Sequence, residues 1–332
     1  MGHTEQLLTL GRFVLLGFLA LSLGCAVAAD RYPDRPVTLV IPYGADSDTH
    51  YFGQVLAKHV AKYMDNASIV LENRAGASGT LGANSVRSAP PDGYTLMIGR
   101  VGTQTIAPAM DPSLSYRWYN FSFLGLLEVD PLVCAVRSDS LHKTARELLA
   151  DMRKSPGTKK FGTTGSGSIQ NLSAQYLLKL AGLKNGAAIP VAYTGGQGAA
   201  DGLIGGQIDF LCSNARSLIE PIKNGRVRGL LTTAPGRLTE LPDLPNAREA
   251  GMRDMANLLG WSALVAPRGL PEHVTTRWRE ALQKLSRDPA WLADISKGGG
   301  IAVLGTAKDR EKFIKEQAEL FESLIPELGL RQ

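Results

Sequence analysis

The chain alternates short apolar runs with longer amphipathic segments, which is the pattern of an α/β protein. Residues 37–41, 68–71 and 94–98 are apolar runs of strand length and predict buried strands. A helix beginning near Thr49 is predicted between the first two strands by a stripe of apolar residues at helical spacing: Phe52, Val55, Leu56, Val60 and Met64. These segments together predict a β-α-β unit.

The same alternation continues through the middle of the chain. Residues 160–163 predict a strand that leads into the glycine-rich segment 165–168. A helix then follows and ends at Gly182, with apolar positions Ile169, Leu172, Tyr176 and Leu180 on one face. Further strands are predicted at 189–193, 208–212 and 227–232. Two helices are predicted near the C-terminus, with inward residues Val274, Trp278, Ala281, Leu282 and Leu285 in one, and Phe313, Ala318, Phe321 and Ile325 in the other.

The N-terminus has the pattern of an export signal. Arg12 precedes an apolar run over residues 13–24, which is long enough for a signal peptide and too short to span a bilayer as a helix. Small residues at 26–29 suit cleavage, so we expect the mature protein to start near Asp30 in the periplasm. The alternative is a lipoprotein anchored through Cys25. No later segment is long and apolar enough to cross a membrane.

Composition narrows the class of function. Removing residues 1–29 leaves about 300 residues, enough for two lobes. The net charge is +5, and lysines and arginines are interleaved with acidic residues, which argues against nucleic-acid binding. The sequence has no nucleophile elbow, dinucleotide fingerprint, phosphate loop or zinc-protease motif, so an enzyme is not predicted.

The two cysteines of the mature chain leave two readings open. Cys134 and Cys212 each lie in an apolar run, and the periplasm permits a disulfide. Because sequence does not show whether their Cα atoms come within bridging distance, we favour two separately buried side chains.

Two loops carry the candidate chemistry, because each connects the end of a strand to the start of a helix. They are residues 42–50 and 163–168. In open α/β sheets ligands bind at such positions, and the N–H groups at a helix N-terminus favour an anion. The sequence therefore predicts a small anionic solute held between two loops.

Several segments resemble one family of binding proteins. Residues 71–79 (LENRAGASG) and 89–96 (APPDGYTL) match its signature, and 164–168, 193–195 and 205–209 continue the match in order. The chain resembles the Bug-type, TctC-like substrate-binding proteins of tripartite tricarboxylate transporters. The resemblance implies a type II periplasmic binding-protein fold, with two α/β lobes and a ligand cleft between them. It also implies a monomer without cofactor or metal, which delivers a small organic acid to membrane permease subunits.

The resemblance and the predicted strands together suggest the domain boundaries. We expect a signal peptide at 1–29, lobe I at 30–127 and 262–332, and lobe II at 128–261, with crossing strands at 126–131 and 261–267. A receptor that presents its solute to a sensor protein instead of a permease is the alternative function. Neighbouring genes or a pull-down would separate the two.

The predicted ligand-binding residues lie in the two loops and after the third strand. They are Tyr43, Gly44, Ala45, Asp46, Ser47, Asp48, Arg100, Thr103, Thr164, Gly165, Ser166, Gly167, Ser168 and Asp201. In this set Ser166, Ser168 and the backbone of 44–48 are expected to donate to a carboxylate. Asp201 is included because it lies one place before Gly202, where the family has an aspartate.

Three departures from the family pattern affect the expected ligand. Asp46 and Asp48 place negative charge in the first loop, where relatives are mostly uncharged. We expect one of them to cap the helix or to pair with Arg100, and the ligand to be asymmetric, with its polar or amino end at this loop. Arg100 is either a carboxylate clamp, which we favour, or a solvent-facing charge. A metal at Asp46, Asp48 and His50 is a weaker alternative.

Overall fold

The structure is a computed structural model, and it describes residues 32–184, 186–303 and 307–331. The predicted signal peptide and Cys25 lie outside these residues. From Arg35 to Gln332 the chain forms one continuous unit.

Ten strands are seen in the described part of the chain. They are β1 (Val37–Ile41), β2 (Ile69–Asn73), β3 (Thr95–Arg100), β4 (Phe121–Arg137), β5 (Lys159–Thr163), β6 (Ala188–Ala192), β7 (Phe210–Asn214), β8 (Val227–Thr232), β9 (Leu259–Pro267) and β10 (Ile301–Ala302). Each predicted strand is present, with ends that differ by up to two residues from the prediction.

The helices cover the sheet edges and faces between these strands. They are α1 (Asp48–Val60), α2 (Thr80–Arg87), α3 (Ala107–Met110), α4 (Ala145–Lys154), α5 (Ile169–Leu180), α6 (Gly196–Ile204), α7 (Ala215–Lys223), α8 (Glu272–Leu285), α9 (Pro289–Lys297) and α10 (Ala307–Glu327). A π-helical turn, Gly102–Ile106, follows β3. None of the helices within the described residues combines the length and the apolar character that a membrane crossing needs.

The strands form two halves, each built on parallel strand pairs, and β4 belongs to both. In the first lobe β1 pairs in parallel with β2 and β3, and β9 joins β3 antiparallel. In the second lobe β5 pairs in parallel with β6 and β7. The strand order is β2-β1-β3-β9-β4-β7-β5-β6, and β8 and β10 also pair with β4. Each β-α connection therefore brings a strand's carboxyl end and a helix N-terminus to the region between the halves.

The long strand β4 crosses from one half to the other. Its residues from Phe121 to Pro131 pair with β9, and those from Leu132 to Val136 pair with β7. The register shifts between Phe123 and Gly125 and again after Leu126, so the strand is irregular before it enters the second lobe. Strand β9, which includes the second predicted crossing at 261–267, pairs with β3 and with the first-lobe part of β4.

The apolar stripes that predicted the helices lie in the core. The five stripe residues of α1 are each 8% exposed or less, although the last, Met64, lies just beyond the helix. Helix α8 buries its five predicted residues as well. In α5 the chain leaves the helix through Gly182 at φ 72°, a left-handed conformation that glycine adopts without steric cost.

The expectation of two separate cysteines is wrong. Cys134 of β4 lies directly opposite Cys212 of β7, their Cα atoms are 4.0 Å apart, and the two sulfurs form a disulfide. Both side chains are buried, as expected. The two strands are 78 residues apart in sequence, so their pairing could not be predicted from either apolar run.

Candidate functional site

A cavity of about 290 Å³ lies between the two lobes, and both contribute to its wall. From the first lobe come the loops after β1, β2 and β3. From the second lobe come the loops after β5, β6 and β7. The wall residues are Tyr43, Gly44, Asp46–Thr49, Ala75, Gly76, Ser78, Gly79, Arg100–Gly102, Thr164, Gly167–Gln170, Thr194–Gly196 and Asn214.

The first loop begins helix α1 with a serine cap. Ser47 Oγ accepts a hydrogen bond from the His50 N–H at 3.1 Å and donates its own proton to the Gly44 carbonyl at 2.6 Å. The N–H groups of Asp48 and Thr49 have no carbonyl one turn earlier in the helix to receive them. Because both residues line the cavity, these two donors are available to a solute.

The second loop repeats this arrangement at helix α5. Ser168 Oγ accepts from the Asn171 N–H at 3.2 Å and donates to the Gly165 carbonyl at 2.8 Å. The N–H groups of Ile169 and Gln170 are the corresponding donors, and these residues also line the cavity. Each lobe therefore directs one serine-capped helix N-terminus at the same space.

Three more helices of the described residues begin at the cavity wall. Helix α2 starts after Gly79, α6 starts at Gly196, and α7 starts after Asn214. A helix N-terminus carries a partial positive charge, so these helix ends around one cavity favour an anion.

Arg100 ends β3 at the cavity, but its charge is held by the protein. Its Nη1 donates to Glu128 Oε1 at 3.3 Å and to Ser262 Oγ, and its Nη2 donates to Asp130 Oδ2 at 3.1 Å. Arg100, Glu128 and Asp130 are 8%, 2% and 6% exposed. The solvent-facing alternative is therefore wrong, and so is the expected pairing with Asp46 or Asp48.

The two carboxyl groups of this cluster hold their protons more strongly than usual. Burial, reinforced by the charge of Asp130, raises the pKa of Glu128 to about 7. Burial also raises the pKa of Asp130, against the opposing effect of Arg100. Glu128 Oε2 and Asp130 Oδ1 have no hydrogen-bond partner among the residues that the structure describes.

A chain of side-chain hydrogen bonds links this cluster to the second loop. Asp130 Oδ2 accepts from Asn214 Nδ2 at 2.6 Å, and Asn214 Oδ1 accepts from Gln170 Nε2 at 3.1 Å. Gln170 Oε1 in turn accepts from Thr164 Oγ1 at 3.1 Å. Asn214, Gln170 and Thr164 all line the cavity, so one polar chain joins the crossing strand to the second-lobe wall.

Comparison with known proteins identifies the family. The sequence model of one protein family, the tripartite tricarboxylate transporter family receptor TctC, matches residues 53–330. The chain belongs to the TctC receptor family. It is 32% identical over 308 residues to the UPF0065 protein in the TAR-I ttuE-ttuC' intergenic region of Agrobacterium vitis, covering 92% of this chain and 87% of that one.

Solved structures agree with this assignment. The periplasmic binding protein BugD is 26% identical, with a TM-score of 0.80 over 90% of this chain and 99% of its own. MatC of Rhodopseudomonas palustris, solved with bound malate, is 27% identical with a TM-score of 0.78 over 89% and 100%. The predicted two-lobed periplasmic binding-protein fold and TctC resemblance are therefore confirmed.

Nine of the predicted site residues of this TctC receptor lie in the cavity wall: Tyr43, Gly44, Asp46, Ser47, Asp48, Arg100, Thr164, Gly167 and Ser168. Five lie elsewhere. Ala45 and Ser166 are exposed. Gly165 bonds within its own loop, where its carbonyl accepts from Ser168 and Thr163 and its N–H donates to Thr163. Thr103 is buried beside the Arg100 backbone, and Asp201 accepts from Gln197 on the exposed face of α6.

One of the four cap-type residues at 46–49 caps α1, as their residue types predict, but the expectation that an aspartate does so is wrong. Ser47, and neither Asp46 nor Asp48, caps α1 through its side chain. Asp48 stands in the first helical turn, where its charge suits the helix dipole. Among the described residues no group of three His, Cys, Asp or Glu side chains is arranged to hold a metal ion.

Sequence reasoning missed part of the wall. The segment from Gly76 to Gly79 has four consecutive positive φ angles, 137°, 46°, 56° and 90°, and brings Ser78 to the cavity. This segment belongs to the motif that carried the resemblance, but it received no site role. Thr194–Gly196 was missed too, although it also joins a strand to a helix.

Proposed function

We propose that this protein is a periplasmic solute-binding receptor that captures a small carboxylate-bearing organic solute in the cavity between its lobes. The observation that carries the proposal is the pair of serine-capped helix N-termini, at Asp48 and at Ile169, that face one cavity from opposite lobes. Such ends bind anions through backbone N–H groups. The malate in the structure of the relative MatC supports the same class of solute.

In this proposal the wall residues of the two loops hold the solute, and the lobes close on it. The lobes are residues 30–127 with 262–332, and residues 128–261, and they move about the crossing strand β4. Small-angle scattering should show a smaller radius of gyration when ligand saturates the protein. An unchanged radius at saturation would argue against closure.

We further propose that the protein catalyses no reaction and delivers its solute to a tripartite tricarboxylate transporter permease. Export through a cleaved signal peptide would place the protein in the periplasm. We propose that it is a monomer there. N-terminal sequencing of protein from the periplasm should begin near residue 30, and ligand recovered after incubation should be chemically unchanged. A pull-down with the ligand-bound form should recover permease subunits, and recovery of a sensor protein instead would favour the alternative.

The class of solute is tested by thermal-shift screening of carboxylates against their neutral amides. A ligand that binds only the folded state stabilises it by mass action and so raises the melting temperature. At a ligand concentration 100 times its Kd, the free energy of unfolding rises by about 2.7 kcal/mol. We expect carboxylates to raise the melting temperature and the matched amides not to. Stabilisation by amides or amines alone would show that the proposed class is wrong.

A further inference from the structure

The hydroxyl groups of both cap serines are already committed. Ser47 Oγ donates to the Gly44 carbonyl and Ser168 Oγ donates to the Gly165 carbonyl. A hydroxyl has a single proton to donate. Neither serine therefore offers a side-chain proton to a solute, and the donors at the two caps are backbone N–H groups.

In the chain of hydrogen bonds that starts at Asp130, it is fixed which side chain donates and which accepts at each bond. Asp130 Oδ2 already accepts from the Arg100 guanidinium, which is donor only, so Asn214 must turn its amide nitrogen to the same oxygen. Asn214 Oδ1 then faces Gln170 Nε2, and Gln170 Oε1 faces the Thr164 hydroxyl. The direction holds whether or not Asp130 is protonated, because a proton on this group would occupy its other oxygen.

The consequence for the cavity is that Thr164 acts as an acceptor. Its hydroxyl proton points to Gln170, which leaves the oxygen lone pairs for whatever fills the cavity. Asn214 and Gln170 each donate one amide proton and accept one bond within the chain, and they are at most 7% exposed.

Asp48 adds a charged acceptor to the same cavity. Its carboxylate points across towards the second lobe, since a Cβ atom built on Gly196 would lie 3.5 Å from Asp48 Oδ2. Within the described residues, Asp48 has no ion pair or side-chain hydrogen bond. The one arginine of the described cavity wall, Arg100, is paired with Glu128 and Asp130.

We propose that the solute carries, beside its carboxylate, an O–H or N–H donor substituent, a hydroxyl or an ammonium group, which the Thr164 oxygen and the Asp48 carboxylate accept. Asp130 is the positioning residue that fixes the direction of the chain ending at Thr164. This inference rests on the proposed function. When the solute has no donor, the Thr164 oxygen and the Asp48 carboxylate are left unpaired, so the cavity discriminates against the unsubstituted carboxylate.

The test is calorimetric titration with matched sets that differ only in the donor: succinate, malate and aspartate; propionate, lactate and alanine; adipate, 2-hydroxyadipate and 2-aminoadipate. We expect the donor-bearing member of at least one set to bind about tenfold more tightly than its parent. If parents bind as tightly as substituted members, the inference is wrong while the proposed function stands. If no carboxylate binds, the proposed function itself fails and the inference falls with it.

Variants of the two proposed acceptors show which of them causes the preference for donor-bearing solutes. Asp48→Asn should reduce the preference for the ammonium-bearing member about tenfold, because it removes the charge. Thr164→Val should reduce the preference for hydroxyl and ammonium members alike. Asp201→Asn, on an exposed residue outside the cavity wall, is the matched control and should change neither.

Asp130→Asn tests the positioning role. Asparagine can present a donor where aspartate accepts, so the chain loses its fixed direction. We expect the parent carboxylate to bind as before and the preference for the donor-bearing member to fall. Should this buried variant fail to fold, Asp48→Asn and Thr164→Val still decide the matter, because a preference that survives both contradicts the inference.

Discussion

The two loops that face the cavity cap their helices in the same way but differ in charge. In each, a serine caps the helix, its hydroxyl bonds the carbonyl of a glycine three residues earlier, and two free N–H groups follow. The first loop adds Asp46 and Asp48, whereas the second has no charged residue between 163 and 168. The cap geometry is the same in both lobes, so under the proposed function the neighbouring side chains decide which lobe accepts an anion.

The comparison depends on Arg100 being held by the cluster, so that it does not offset the charge of the first loop. Arg100→Met should lower the free energy of unfolding by about 3–5 kcal/mol at pH 7, because two buried carboxyl groups lose the cation that forms hydrogen bonds to both. Urea denaturation measures this. Arg137→Met is the control, since Arg137 pairs with Asp139 on the surface and should cost under about 0.5 kcal/mol. A loss below about 1 kcal/mol for Arg100→Met would mean that its charge is not needed by the cluster.

The same cluster predicts a pH dependence of stability. The pKa of Glu128 is about 7 in the folded protein and 4.5 in the reference state, so folding favours the protonated form. Its contribution is present in full below pH 4.5 and is lost as pH rises through about 7. The groups that face Glu128 are Asp130, Arg100, Arg216 and the Ser262 hydroxyl.

Glu128→Gln, which mimics the protonated side chain, removes this dependence. Relative to the variant, the wild type should lose about 2 kcal/mol of unfolding free energy between pH 5 and pH 8. Denaturation of both proteins across this range measures the difference. Parallel curves for the two proteins would show that Glu128 does not titrate here.

Exchanging the charge between the loops tests the comparison directly. Thr164→Asp places a carboxylate in the second loop and should weaken carboxylate binding by about 1–2 kcal/mol, by like-charge repulsion. Thr164→Asn makes a similar steric change without charge and serves as the control. Calorimetry with the best carboxylate measures both, and equal losses would mean that charge does not distinguish the loops.

The shared architecture of the loops predicts similar stability effects for the two caps. Ser47→Ala and Ser168→Ala should each cost about 1 kcal/mol, because each leaves a helix N–H without its acceptor. Thr at either position should restore most of the loss. A loss of unfolding free energy for one serine variant and none for the other would show that the two helix caps are not equivalent.

The strand and helix pattern was predictable because apolar periodicity reports burial directly, as the stripe of α1 shows. The loops after β1 and β5 followed from the rule that ligands bind where strands end. The same rule applied to β6 would have found Thr194–Gly196. The partners of Arg100 were beyond reach, because Glu128 and Asp130 come from a strand about thirty residues away and Ser262 from another 162 residues away. The disulfide and the direction of the Asp130 chain depend on strand pairing for the same reason.

The most direct test is the position of the solute's carboxylate in a crystal structure of the complex. The account predicts carboxylate oxygens about 3 Å from the N–H groups of Ile169 and Gln170, with any hydroxyl or ammonium group turned towards Asp48. A carboxylate lying against Asp48 instead, with the second loop facing an uncharged part of the solute, would contradict it.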